Sequence, residues 1–300
     1  MRSGDATTVA APANGLPRRM STRRLATHLL LRKGLFMFGA VVIGIMILMA
    51  VFAPLLAPYS PNVTDMQHSL APPSAQHLLG TDNIGRDTLS RLIYGARTSL
   101  IVGLAAVAAA VILGGIIGTI AGFMGGIVQT VIMRLVDMLM AIPMLLLALT
   151  LAAVLGGGLK NVVIAISISM IPPFDRLMAA QTLTIKERDY VSSQRSMGAP
   201  GWRTMFGTVM PNAYPAVLVF GTMQIGSAIL GEAALSFLGI GIQPPTAAWG
   251  AMVSAGKDFL LQDPWLSLVP GVAIMLVVFA FNMLGDGLRD VLDPRLRGTM

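Results

Sequence analysis

The chain has 300 residues, which at roughly 100–200 per domain would suggest two soluble domains, yet it is 55% hydrophobic and only 12% charged. A water-facing domain carries about 25% charge, and the mean hydropathy is +0.74, so two solvated surfaces are excluded and an integral membrane protein is expected. Cysteine is absent and there are 3 histidines, His28, His68 and His77, which excludes a disulfide framework or thiolate metal site and argues against a histidine-rich metal centre.

A cytoplasmic basic arm is expected over residues 1–34, with seven bases against one acid; its first 20 residues have a disordered composition. The first uncharged run, residues 35–57, is 23 residues long and crosses a ~30 Å hydrocarbon core with some tilt. A basic start before an apolar run resembles a signal peptide, but this run is too long and residues 54–59 offer no small-residue cleavage site. Residues 58–98 form an external loop ending in an interfacial helix, with Leu89, Leu92, Ile93 and Ala96 on one face. The second helix is predicted over about 99–121, and Gly114, Gly118, Gly122 and Gly126 recur every four positions, placing a close-packing stripe on one face.

The third helix is predicted over about 136–155, preceded by Arg134 and Asp137, three apart and able to pair at the boundary. The fourth, about 160–180, has only a 13-residue apolar stretch at 162–174, interrupted by Pro172-Pro173. To span, it must continue past Asp175 and Arg176, with those side chains reaching for the interface. The fifth is predicted over about 213–233 and the sixth over about 265–285, with Trp265 as an interfacial anchor. The tail is residues 287–300. Basic excess falls in the arm and in residues 175–211, which both lie inside only if the fourth run crosses. The fold class is therefore all-α, six transmembrane helices with both ends cytoplasmic. The +7 balance is concentrated in the arm, so membrane lipid rather than nucleic acid is the expected partner.

Little in the chain carries chemistry. There is no phosphate loop; the nearest string, at 250–257, has the wrong spacing and falls outside. No catalytic residue or metal site is assigned: His68 and His77 are nine apart without a third ligand. Glu232, inside the apolar stretch 213–242, either lines a translocation path or marks where a helix surfaces.

The cytoplasmic loop over residues 181–211 reads as structured. Tyr190, Val191, Gln194 and Met197 follow Asp189 at helical spacing, and Gly198 sits where a helix end needs a left-handed residue. Pro200 suits the start of a new helix, and Trp202, Met205, Phe206 and Val209 form an apolar stripe. Two short helices against the inner membrane face suit a protein dock.

Tyr190-Val191-Ser192-Ser193-Gln194-Arg195-Ser196-Met197-Gly198-Ala199, with Trp202-Arg203 and Met210-Pro211, resembles the coupling loop of ABC importer permeases, whose short helix docks in a groove of the ATPase. Leu79-Gly80-Thr81-Asp82, Gly85-Arg86-Asp87 and the block 90–97 resemble the dipeptide/oligopeptide/nickel branch. So do Leu235-Ser236-Phe237-Leu238-Gly239, Gln243-Pro244-Pro245, Trp249-Gly250, and the tail motifs Gly285-Asp286-Gly287-Leu288-Arg289-Asp290 and Leu292-Asp293-Pro294-Arg295. The resemblance implies a type I importer transmembrane domain over 97–286 in the plasma (inner) membrane. It also implies a second permease, two ATP-binding subunits that hold ATP and Mg, an external solute-binding protein, and no cofactor on this chain. Peptides are the expected solute, with nickel complexes and glutathione as alternatives. Where the family carries an E-A-A triplet this chain has Ser192, Ser193 and Gln194, so an ion pair from that acidic position is lost. The rival function is an ATP-independent transporter or channel working through Glu232.

Overall fold

The computed structural model describes residues 34–292; the basic arm before Gly34 and the tail beyond Leu292 lie outside the described residues. Nine helices organise it: α1 (Gly34–Val51), α2 (Thr88–Met124), α3 (Gly126–Met140), α4 (Met144–Leu155), α5 (Leu159–Lys186), α6 (Asp189–Ser196), α7 (Gly201–Phe237), α8 (Trp249–Gly256) and α9 (Trp265–Leu292). Among the described residues there is no strand beyond an isolated bridge between Thr81 and Asp87. Helices α1, α2, α5, α7 and α9 are each long and apolar enough to cross a membrane, and the bent pair α3–α4 is the candidate for a sixth crossing.

That sixth crossing departs from the straight helix expected over 136–155. α3 and α4 meet at 87°. Pro143 lacks an N–H and disfavours helical backbone at Ile142, which ends α3 at this point. The 12 residues of α4 reach only about 18 Å, well short of a ~30 Å core.

Two other elements are longer than their apolar runs. The expected interfacial helix and second span fuse into α2, one helix of 37 residues, because no Gly-Pro break separates them. At about 55 Å it overreaches the bilayer, and its first turns stand outside. The short fourth run becomes α5, 28 residues with Pro172 and Pro173 inside. Each proline removes a backbone bond. The helix persists because it is the most deeply packed of the spans, so neighbouring helices hold it.

The packing that matters most is α2 against α5. A Cβ added at Gly114 would lie 2.8 Å from Phe174 Cβ, one at Gly122 would lie 2.7 Å from the Ala179 carbonyl, and one at Gly118 would collide with the Asp175 carbonyl. Three glycines of the stripe thus let two backbones approach where lipid supplies little drive for association. The fourth, Gly126, opens α3 and touches nothing within 4 Å. α9 packs in the same way: Gly287 takes the Phe36 ring of α1, and Gly285 takes Met223 of α7.

Candidate docking and translocation surfaces

The cytoplasmic knuckle is built on short connections. α5 ends at Lys186, Glu187 and Arg188 follow, and α6 begins at Asp189. At its other end Gly198 has φ +82°. Its N–H donates to the Arg195 carbonyl at 2.9 Å, and the Ala199 N–H donates to the Gln194 carbonyl at 3.3 Å. This is a complete Schellman cap, closed by the left-handed residue that glycine supplies without strain. Pro200 then caps the next helix rather than opening it, and α7 runs from Gly201 without interruption across the membrane.

The stripe Trp202, Met205, Phe206 and Val209 is divided. A π-turn over Met205–Val209 adds a residue to the turn and rotates the faces. Met205 and Val209 pack inward, while Trp202 is 68% exposed. Around α6, Val191 is buried and Gln194 half-buried, while Asp189, Ser192, Ser193, Arg195 and Arg203 face solvent. Met197 is 81% and Tyr190 49% exposed. Two contacts tie this knuckle to the end of α2: the Arg195 guanidinium lies 4.9 Å from the Phe123 ring centroid, and Lys186 Nζ donates to the Gly122 carbonyl at 2.9 Å. The latter satisfies a carbonyl that a helix end leaves open.

Beside the knuckle, a cavity of about 890 Å³ lies between α5 and α7, with Tyr190 of α6 and Arg289 of α9 on its wall. Single-sequence reasoning did not assemble it, since its lining comes from four helices; the i, i+4, i+7 recurrence of Leu177, Gln181 and Thr184 was the available signal.

The external side is fastened differently. Asp87 caps α2, accepting from the Ser90 N–H and hydroxyl at 2.7 Å each, and lies 2.9 Å from His77 Nδ1. Asp82 accepts from the Ile84 and Arg86 N–H groups and from Arg86 Nε at 2.6 Å. Arg91 donates to the Pro61 carbonyl at 3.0 Å, and Gly85 allows the Asp65 carbonyl to approach. In the loop, Asp65 sits below its usual carboxylate range, first because His68 bonds its side chain at 2.7 Å and then because the Gln67 N–H does. The Trp249 indole N–H donates to the Leu92 carbonyl at 2.9 Å, over Gly95. The motifs read at 79–97 and 235–250 are thus the two halves of one external cap.

Glu232 lies under that cap, fully buried. The Ser236 hydroxyl donates to its Oε1 at 2.7 Å and accepts from the Ile242 N–H at 2.9 Å. Its other oxygen and the hydroxyl of Ser99 have no hydrogen-bond partner among the described residues. Both sit one turn beyond the Gly103–Ile229 contact of α2 and α7. Asp175 and Arg176, expected together at the interface, are separated. Arg176 is exposed and bonds Asp137 at 2.8 Å, taking the partner that spacing assigned to Arg134. Asp175 is fully buried, with neither oxygen hydrogen-bonded among the described residues.

Five spanning helices with a bent pair as the candidate sixth, one structured cytoplasmic knuckle and a closely bonded external cap define a multi-pass membrane permease. Residues 114–298 match the family of binding-protein-dependent transport system inner membrane components, and residues 21–73 match the N-terminal transmembrane domain of oligopeptide transport permease C. The chain belongs to this permease family, with the type I ABC importer transmembrane fold, and resides in the inner membrane. It is 45% identical to the di/tripeptide transport system permease protein DppC of Pseudomonas aeruginosa over 87% of this chain and 88% of that one. It is 42% identical to the dipeptide permease DppC of Alkalihalophilus pseudofirmus, covering 93% and 91%. It is 44% identical to the glutathione permease GsiD of Salmonella typhimurium, covering 84% of each.

Proposed function

We propose that this chain is one of two permeases in an ATP-driven importer of short peptides. It works with a second permease, two ATP-binding subunits that carry ATP and Mg²⁺, and an external solute-binding protein. The observation that carries the proposal is α6. It is a capped helix with exposed apolar side chains, joined by a two-residue link to α5 and a four-residue turn to α7. A helix held this way transmits a partner's rotation to two membrane-crossing helices as a rigid body. Arg195 on Phe123 and Lys186 on Gly122 extend the same push to α2.

Without an acidic residue at Ser192, docking rests on exposed Met197 and Trp202 and on the Arg195 and Arg203 charges. Closure of the ATPase pair moves α6, and the six crossings alternate access to a path shared with the second permease. The external cap faces the solute-binding protein. Peptides are the favoured solute because the similar permeases are named for di/tripeptides, dipeptides and glutathione, and glutathione is itself a short peptide. An ATP-independent path through Glu232 has less support, because that carboxyl is enclosed and bonded by Ser236.

The test is affinity purification from native membranes in mild detergent, with mass spectrometry, followed by uptake of labelled di- and tripeptides into proteoliposomes. A second permease, ATP-binding subunits and ATP-dependent uptake are expected. Recovery of the chain alone, or as a self-oligomer under conditions that preserve other complexes, would refute the proposal.

A further inference from the structure

Within the external cap, one carboxylate serves two buried guanidiniums. Arg86 Nε donates to Asp82 Oδ2 at 2.6 Å, and Arg91 Nε lies 3.8 Å from the same oxygen. The two arginines are 8% and 3% exposed. Arg91 directs Nη1 to the Pro61 carbonyl, and its buried Nε has no hydrogen bond among the described residues. The other charged groups of the cap are engaged elsewhere. Asp87 is turned to Ser90 and His77, Asp65 to His68 and the Gln67 N–H, and Asp263 to the Trp265 N–H. Lys257 lies over the Phe237 ring, 5.3 Å from its centroid, and Arg97 and Asp258 are exposed.

The shared carboxylate and its two arginines border a partly open cavity of about 50 Å³. Asp82, Arg86, Thr88 and Arg91 form one wall, and Ala251 and Met252 of α8 form another. Thr88 and Arg91 are three residues apart and share a face at the start of α2. The Thr88 hydroxyl is buried and has no hydrogen-bond partner among the described residues. Leu266, also on the wall, opens α9, so about 40 Å of helix separates the cavity from Leu292. A water needs roughly 10–15 Å³ of such space. The cavity therefore admits a small ion with a little water and is far too small for a peptide. A buried charge without a counter-charge is costly. With one carboxylate against two guanidiniums, a single negative charge restores balance, whereas sulfate would exceed it.

We propose that this cavity binds one small monovalent anion, chloride or a free carboxylate, between Arg86, Arg91 and the Thr88 hydroxyl. Charge-assisted bonds from these donors hold it, and it fastens the 82–91 segment to α8.

The test is hydrogen–deuterium exchange of the assembled importer in detergent, read by mass spectrometry on peptides covering residues 82–91. A bulky sulfonate buffer anion is replaced by chloride, acetate or sulfate at constant ionic strength, with peptides from α6 as the internal reference. This readout does not depend on transport, so its failure is separate from failure of the importer proposal. Chloride or acetate should slow exchange to a plateau at residues 82–91 and leave α6 unchanged; whichever acts at the lower concentration is the assigned ligand. Thr88→Val keeps shape and charge and should raise the half-effective concentration about tenfold. Ala251→Leu, which fills the cavity and keeps every charge, should remove the response. Arg97→Gln, which alters an exposed external base outside the cavity, should leave it intact. Absence of a plateau with both anions overturns the proposal, as does a wild-type response in Thr88→Val or Ala251→Leu. So does loss of the response in Arg97→Gln, or sulfate acting at or below the concentration that chloride and acetate require.

Discussion

The external cap and the cytoplasmic knuckle solve opposite problems with opposite use of side chains. Outside, charge is turned inward: Arg86, Arg91 and Asp87 are buried and bonded to one another's loops, and Trp249 closes over Gly95. Inside, apolar groups are turned outward on α6 and the start of α7, and the knuckle is tied down by a cation–π contact and one lysine. A region that bonds most of its buried polar groups internally, Thr88 Oγ1 and Arg91 Nε excepted among the described residues, holds its shape without a partner. A region that leaves Met197 and Trp202 in water is complete only with one.

Substitutions can break this contrast. The largest effect is expected where both regions depend on the same core: Gly118→Val forces α2 from α5 against the Asp175 backbone. It should cost about 3 kcal/mol and abolish monodisperse protein in size-exclusion chromatography. Gly198→Val should leave insertion and yield near normal. It places a branched residue at φ +82°, about 1–2 kcal/mol of local strain, and should abolish uptake and ATPase co-purification; normal uptake would refute the role given to that cap.

Asp82→Ala sharpens the other side. Removing one partner of a buried pair costs about 3 kcal/mol, so external protease should cut residues 57–87 while α6 still holds the ATPase. Trp249→Phe removes the indole bond to Leu92 and part of a fully buried ring system. A loss of about 2 kcal/mol, seen as a fall in thermal midpoint with uptake retained, is expected.

The two regions also differ in how legible they were in the sequence. Charge bias established the fourth span that hydropathy left short. Period-four glycines marked a close-packing face on the second helix, without naming α5 as its partner and with Gly126 wrongly included, and Gly198 with its spacing marked a left-handed helix end. These are local signals with a direct physical cause. Long-range pairing left no such mark: Asp137 could be matched to Arg134 by spacing, and only the fold brings Arg176 to it. The π-turn that splits the Trp202–Val209 stripe and the burial of Asp175 depend on neighbours far along the chain. The 87° bend did have a signal, Ile142-Pro143, which the continuous apolar run around it obscured. The external motifs were recognisable as blocks, but their work as a helix cap, an ion pair and an indole clasp required coordinates.

The central claim is that α6 seats in an ATP-binding subunit. Since the chain has no cysteine, a single Met197→Cys substitution in the assembled importer gives one thiol at the exposed end of α6, ready for thiol-directed cross-linking. The account predicts a cross-link to an ATP-binding subunit whose yield changes when ATP is added. Robust expression and labelling of that thiol with no cross-link to any ATP-binding subunit, with or without ATP, would contradict it.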